Sequence, residues 1–197
     1  MIKIRKAKYM IVFMIGVLCL AGCGHIRSER ELKFYAYKNF GKAKMLASET
    51  TEEYTKCTFR DNKYGFEYSV ESKMVPFSVD GSTAFDYQST VTDYPEKLVS
   101  YLEEDIKVYI DSRRDEIEAS GIRIAYNGHV ENYLRRFDMA DFENVSEKNM
   151  ETAEKYAEEC IAYFKRLDRK NVFHEINVIM EIKEGDSISY NAYSVKN

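Results

Sequence analysis

The chain has 197 residues, 45% hydrophobic and 31% charged, with 9 Gly and 2 Pro. Those proportions exclude a disordered or fibrous chain and suit one domain with enough apolar material for a core. The formal net charge of −4 argues against nucleic acid as a partner.

The first ten residues, MIKIRKAKYM, carry Lys3, Arg5, Lys6 and Lys8 and no acid. The uncharged run IVFMIGVLCLAG follows. A basic start, about a dozen apolar residues and small residues before a cut form a secretory signal. A spanning helix would need ~20 apolar residues. A buried first helix of the domain would need a polar side, which this run lacks.

Leu20-Ala21-Gly22-Cys23 closes the run and resembles the lipobox of bacterial lipoproteins; the resemblance covers residues 1–23. It implies cleavage before Cys23, a diacylglyceryl thioether on the Cys23 sulfur and fatty acylation of the new N-terminus. Several acyl chains, at ~0.8 kcal/mol per buried CH₂, hold a protein stably where one would not. The expected organisation is a signal peptide over residues 1–22, a lipidated tether over 23–30 and one domain over 31–197. The expected address is the outer side of the bacterial cytoplasmic membrane. Without the leader, 25 bases face 33 acids, a formal −8. The lipid, not an electrostatic grip, would then hold the protein to the membrane.

Of the four cysteines, Cys19 leaves with the leader and Cys23 takes lipid. Cys57 and Cys160 remain. An extracytoplasmic address permits a disulfide, but Cys160 falls on an apolar helical stripe, and the two read as separate buried thiols.

In chain order, Ser28 and Glu31 have capping-box spacing. Leu32, Tyr35, Ala36, Phe40, Ala43, Leu46 and Ala47 recur at helical intervals, which predicts a helix over 28–54. Period two follows. Cys57 and Phe59 lead to a turn at RDNKYG, Phe66, Tyr68 and Val70 alternate with polar residues, and Asp80-Gly81 marks a hairpin before Phe85 and Tyr87. This predicts a three-stranded antiparallel meander. The stretch 92–121 reads as a helix with both ends marked: Asp93 as a cap, Pro95 in its first turn and Gly121 after its end. IRIAY reads as a short strand ended by a turn at Asn127-Gly128, and residues 129–145 carry no clear period. Ser146 opens the last helix, with a stripe through Met150, Ala153, Ala157, Cys160, Ile161, Phe164 and Leu167. HEINVIMEI and SISYNAYSV form two strands joined at Glu184-Gly185-Asp186. The order predicts a single α+β domain, an antiparallel sheet with helices over one face.

Chemistry-bearing motifs are few. HEINV starts like a zinc-protease helix, but Val178 stands where the second histidine is needed. RDNKYG puts Arg60 at the first ligand position of a calcium loop, and a guanidinium cannot bind calcium. His25, His129 and His174 lack a partner at ligand spacing. No catalytic residue, cofactor or metal is expected. Arg113-Arg114 and Arg135-Arg136 are the doublets that offer an anion contact, the second in a loop.

If the apolar strand residues face the helices, the other face carries Glu67, Glu71, Asp86, Glu175 and Glu181. Alternation of this kind is what a sheet with one wet face produces. Read for function, it is a docking face for a basic protein. The expectation is a lipid-anchored binding protein, one version being an immunity lipoprotein that occupies a secreted toxin. The alternatives are a small-ligand-binding accessory of a transporter and an enzyme with a dispersed active site.

Overall fold

The computed structural model describes residues 24–79, 82–185 and 187–196. The leader, Cys19, Cys23, the Asp80-Gly81 turn and Asp186 lie outside the described residues.

The fold is α+β, with three helices and two four-stranded sheets among the described residues. Helix α1 (Glu29–Phe40) precedes strands β1 (Ala43–Thr50), β2 (Tyr54–Asp61), β3 (Glu67–Val79) and β4 (Ser82–Thr92). These strands pair in chain order, all antiparallel. Helix α2 (Tyr94–Glu118) leads to β5 (Arg123–Glu131) and β6 (Arg136–Val145), then α3 (Met150–Leu167), β7 (Glu175–Glu184) and β8 (Ser187–Lys196). The second sheet also runs in chain order, but β6 and β7 are parallel. Helix α3 is the reason: a strand–helix–strand crossover returns the chain to the starting end of the sheet.

The first helix departs from its expected length. It ends at Phe40, where Gly41 takes φ +81°, a conformation open to glycine and strained for other residues. Residues 43–50, expected to continue the helix, form an edge strand on β2. Ala43, Leu46 and Ala47 fit a helical stripe, yet Ala43 and Met45 suit the half-buried side of a strand equally well. Pairing with a strand supplied later in the chain overrides the local period. The N-terminal end does follow its motif: Ser28 Oγ accepts the Glu31 N–H, and the Glu31 carboxylate accepts the Ser28 N–H at 2.8 Å.

Three smaller corrections share that cause. Asp93 precedes α2 but makes no side-chain cap; its carboxylate accepts the Ser69 N–H across the sheet at 2.6 Å. Asn127-Gly128 does not end β5. It is a bulge within it, with Gly128 at φ +82°, and the turn falls at residues 132–135. The unassigned stretch after it contains β6, whose residues from Phe137 to Ala140 are all buried. With both faces covered, the strand loses the alternation that reveals strands in a sequence.

Each helix lies over the apolar side of a sheet. Under α1, Phe40 stacks on Tyr94 at 4.2 Å and meets Tyr68 edge-on at 5.7 Å. Under α3, Phe164 packs on Phe137 and Phe173. Helix α2 joins the halves through Ile106, Ile110 and Ile117 and stacks Tyr109 on Tyr163 of α3 at 3.9 Å. Cys57 and Cys160 are buried free thiols. Burial holds both above the usual thiol range, Cys160 pushed up to about 12, so neither is a nucleophile at neutral pH.

A buried ion pair ties the halves together. Lys170, in the loop between α3 and β7, donates from Nζ to Asp61 Oδ2 at the end of β2, at 2.5 Å. The same ammonium donates to the Phe40 carbonyl at the end of α1, one of the carbonyls a helix terminus leaves without an intrahelical partner. The Tyr64 and Tyr94 rings lie 5.7 and 5.6 Å from it. Asp61 also accepts the Tyr94 hydroxyl at 2.9 Å and the Lys63 and Tyr64 N–H groups. The pair therefore fixes the end of α1, the β2–β3 turn and the start of α2 against the second half.

Candidate functional site

Beside this lock the two sheets leave a cleft of about 560 Å³. Helix α1 supplies Tyr35 and Asn39; β3 and β4 supply Ser69, Glu71, Thr90, Val91 and Thr92; the β5–β6 turn supplies Asn132, Tyr133 and Arg135; and His174 precedes β7.

The cleft is held by main-chain accounting as much as by side chains. Thr92 Oγ1 donates to the Ser69 carbonyl at 2.7 Å and accepts the Tyr94 N–H at 3.2 Å. With the Asp93–Ser69 bond, this pins the end of β4, the last strand of its sheet, whose Thr90, Val91 and Thr92 line the cleft. Arg135 takes φ +50°. Its carbonyl accepts the His174 N–H at 2.9 Å, which fixes the turn to the start of β7. Its guanidinium donates to Asn39 Oδ1 at 2.8 Å and lies 5.3 Å from the Phe40 ring centre. Asn39 is held in turn by its Nδ2–H donating to the Tyr35 carbonyl at 2.8 Å. Asn132 Oδ1 is buried and has no hydrogen-bond partner in the structure. Tyr133 is 88% exposed at the rim. The cleft thus offers side chains of an edge strand, a positioned cation and aromatic walls.

The five acids expected to share one face stand on two sheets. Glu67, Glu71 and Asp86 are on β3 and β4, while Glu175 and Glu181 are on β7. Cations are seated among them. Arg60 reaches Glu67 at 2.5 Å, Lys73 reaches Glu71 at 3.2 Å and Lys183 reaches Glu181 at 3.4 Å. Glu175 stands in register between Arg136 and Lys196. Glu71 also lines the cleft.

Of the histidines, His25 in the tether lies 3.2 Å from Glu31, His129 is on β5 opposite Asp138, and His174 is at the cleft. Among the described residues no group of three or more His, Cys, Asp or Glu is placed to hold a metal ion, and no helix is long and apolar enough to cross a membrane. The sequence singled out Arg135 as half of a doublet in a loop, but not its neighbours Asn39 and Asn132. Their only local signal is turn and helix-end composition.

Two buried carboxylates give opposite pH dependences. Burial alone would raise Asp61, but Lys170 and the other donors outweigh it and hold the carboxyl below the usual range. Asp61 therefore stabilises the fold fully above its unfolded pKa of ~3.9, and that contribution is lost as pH falls through the lower folded value. Burial raises Asp168 against the Phe173 and Val172 N–H donors. Its folded form holds the proton more tightly, so its contribution falls as pH climbs from ~3.9 through the raised value. In urea titrations against pH, Asp61→Asn is expected to approach wild type as the solution is acidified. Wild type is expected to gain on Asp168→Asn over the same approach. Parallel curves for either variant would contradict the assignment.

Comparison with family models, with curated proteins and with solved structures finds no match for the chain.

Proposed function

We propose that the protein is a lipid-anchored binding protein on the outer side of a bacterial cytoplasmic membrane, and that it takes an extended segment of a partner protein into the cleft between its sheets. The anchor rests on the residues that match a lipobox and end at Cys23.

The end strand β4, whose Thr90, Val91 and Thr92 line the cleft, carries the binding reading. An unpaired strand edge is a template for an added strand, whose main chain supplies affinity while flanking pockets select its side chains. Thr90, Val91 and Thr92 offer that edge. Arg135 suits a carboxylate or carbonyl of the incoming segment, and Tyr133 a flat apolar contact. A docking face for a basic protein, of the immunity type, draws less support: its five acids are split between two sheets and interleaved with Arg60, Lys73 and Lys183.

The test is a selection from a displayed library of random peptides against the full protein in detergent micelles, followed by amide hydrogen exchange. Selected peptides are expected to protect the amides of Thr90–Thr92. Arg135→Gln should weaken them about tenfold, the loss of one charge-assisted contact. Binders that leave those amides exchanging freely would refute the strand-addition reading. Mass spectrometry of the N-terminal peptide tests the anchor: a thioether glyceride on Cys23 is expected, and an unmodified, uncleaved N-terminus would refute it.

A further inference from the structure

Helix α1 shows the solvent a side unlike the rest of the body. At ~3.6 residues per turn, Leu32, Ala36 and Phe40 share the side packed on the first sheet, and they are buried. The opposite stripe is Arg30, Lys33, Phe34, Tyr37 and Lys38, all exposed. It holds three cations, two aromatic rings and no acid. Phe34 is 68% exposed and Tyr37 59%. The two acids of the helix flank the stripe and are already engaged. Glu29 accepts Lys33 Nζ and Ser48 Oγ, both at 2.8 Å, and Glu31 accepts the Ser28 N–H and hydroxyl. The Arg30 and Lys38 side chains have no ion-pair partner among the described residues. Lys42, just past the helix end, borders the same hollow as Lys33 and Tyr37 and extends the basic stripe.

The tether brings the lipid site to this stripe. Gly24 borders one hollow with Arg30 and Phe34. Arg27 pins the tether there: its N–H donates to Ser72 Oγ at 3.0 Å and its Nε–H to Gln88 Oε1 at 3.2 Å. Cys23 directly precedes Gly24 in the chain, so a lipid on Cys23 is tied one residue from that hollow. From Arg30 to Tyr37 the stripe runs about 10 Å along the helix, at ~1.5 Å per residue.

We infer that the outer stripe of α1 lies on an anionic membrane surface, an inference that rests on the lipid-anchor reading. Phe34 and Tyr37 sit in the boundary between headgroups and acyl chains, the layer that aromatic rings favour. Arg30, Lys38 and Lys42 meet the anionic headgroups. Charge complementarity selects this occupant. The chain without its leader carries a formal −8, but exposed charges beyond a Debye length, ~8 Å at physiological ionic strength, are largely screened. A stripe in contact with the surface is therefore governed by its own charges, and those are positive. A lipid alone holds the protein but leaves the body free to turn about its tether. The stripe adds a second contact beside the first and fixes the orientation. Tyr35 and Asn39 of the same helix lie off the stripe and line the cleft, so this contact does not use them.

The chain has no tryptophan, so Phe34→Trp in the full-length protein places a single reporter on the stripe and Tyr133→Trp a control on the cleft rim. Both are measured in vesicles of phosphatidylcholine and of phosphatidylcholine mixed with phosphatidylglycerol, with and without lipids brominated near the headgroup. In the mixed vesicles the Phe34→Trp emission is expected to shift blue and to be quenched about twofold or more. Tyr133→Trp should stay unquenched. Each cation near an anionic surface is worth about fivefold in the docking equilibrium. Arg30→Gln and Lys38→Gln together should therefore lower the docked-to-free ratio of Phe34→Trp about 25-fold and remove the quenching. Their urea midpoint should stay unchanged, since neither side chain has an ion pair to lose. Mass spectrometry of the same samples records the state of Cys23. Lipidated protein with an unquenched Phe34→Trp in the mixed vesicles overturns the membrane contact of α1 and leaves the anchor standing. Quenching as strong in phosphatidylcholine alone, or undiminished by the two glutamines, overturns the assignment to anionic headgroups. Protein that carries no lipid and stays in the aqueous phase overturns both the contact and the anchor. A blue shift that needs no vesicles and grows with protein concentration assigns the stripe to a second copy of the chain and overturns the membrane assignment.

Discussion

Lys170→Met is expected to destabilise the protein by about 3–5 kcal/mol, the usual cost of breaking a buried ion pair from one side. The Asp61 side chain has no exposed surface and Lys170 only 16%. Removing the ammonium leaves a charged carboxylate in the interior with the Tyr94 hydroxyl and two N–H groups as its remaining donors. The Phe40 carbonyl loses a donor at the same time. Urea denaturation at neutral pH measures the loss. Adding Asp61→Asn to Lys170→Met should restore part of it, because the stranded charge is gone. A double variant no better than Lys170→Met would show that packing, not charge burial, accounts for the effect. The single-variant loss should also shrink in acid as Asp61 takes up a proton, the sign required of a carboxylate held low by its partner.

Phe40→Ala is expected to cost a further 3–5 kcal/mol or so, the range for truncating a buried phenylalanine. The ring is 1% exposed, stacks on Tyr94 and meets Tyr68 edge-on. Truncation opens a cavity where α1, the first sheet and α2 converge. It also removes the surface under the Arg135 guanidinium. Phe40→Leu separates the two roles. A near volume-conserving change costs less than ~1.5 kcal/mol, yet no aromatic face remains for the cation. Stability near wild type with weakened peptide binding in Phe40→Leu would assign Phe40 to the cleft as well as to the core. Unchanged binding in Phe40→Leu would confine it to packing.

Both variants bear on how the cleft is made. Its polar groups come from five segments, and none is held by its own segment alone. Arg135 is oriented by Asn39, 96 residues earlier, and in the lock beside the cleft Asp61 is held by Lys170, 109 residues later. Local pattern reading reaches a few residues in each direction, so it can mark Arg135-Arg136 as unusual without saying what faces it. It also assigned the five acids to one face, because alternation gives the side of a strand but not the sheet to which the strand belongs.

Helix α2 was legible from Pro95 in its first turn to Gly121 beyond its end, though not in the role of Asp93, since an amphipathic stripe and its end signals lie within one contiguous segment while the Ser69 partner of Asp93 does not. The strands β7 and β8 were legible for the same reason, through alternation on either side of a turn. The start of α1 was legible from Ser28 and Glu31. Its end was not. Residues 43–50 satisfy both periods, and the choice between them belongs to β2, which offers hydrogen bonds that only an extended chain can accept.

By itself, then, the sequence determined the α+β class, the capping box, the helix α2 and the two strands at the C-terminal end, because each is written in neighbouring residues. Only the tertiary structure decided that there are two sheets, that β6 and β7 run parallel, that Lys170 closes over Asp61 and that the end strand β4 lines a cleft. Those features join residues distant in the chain, and their energies come from burial and pairing that no local window contains.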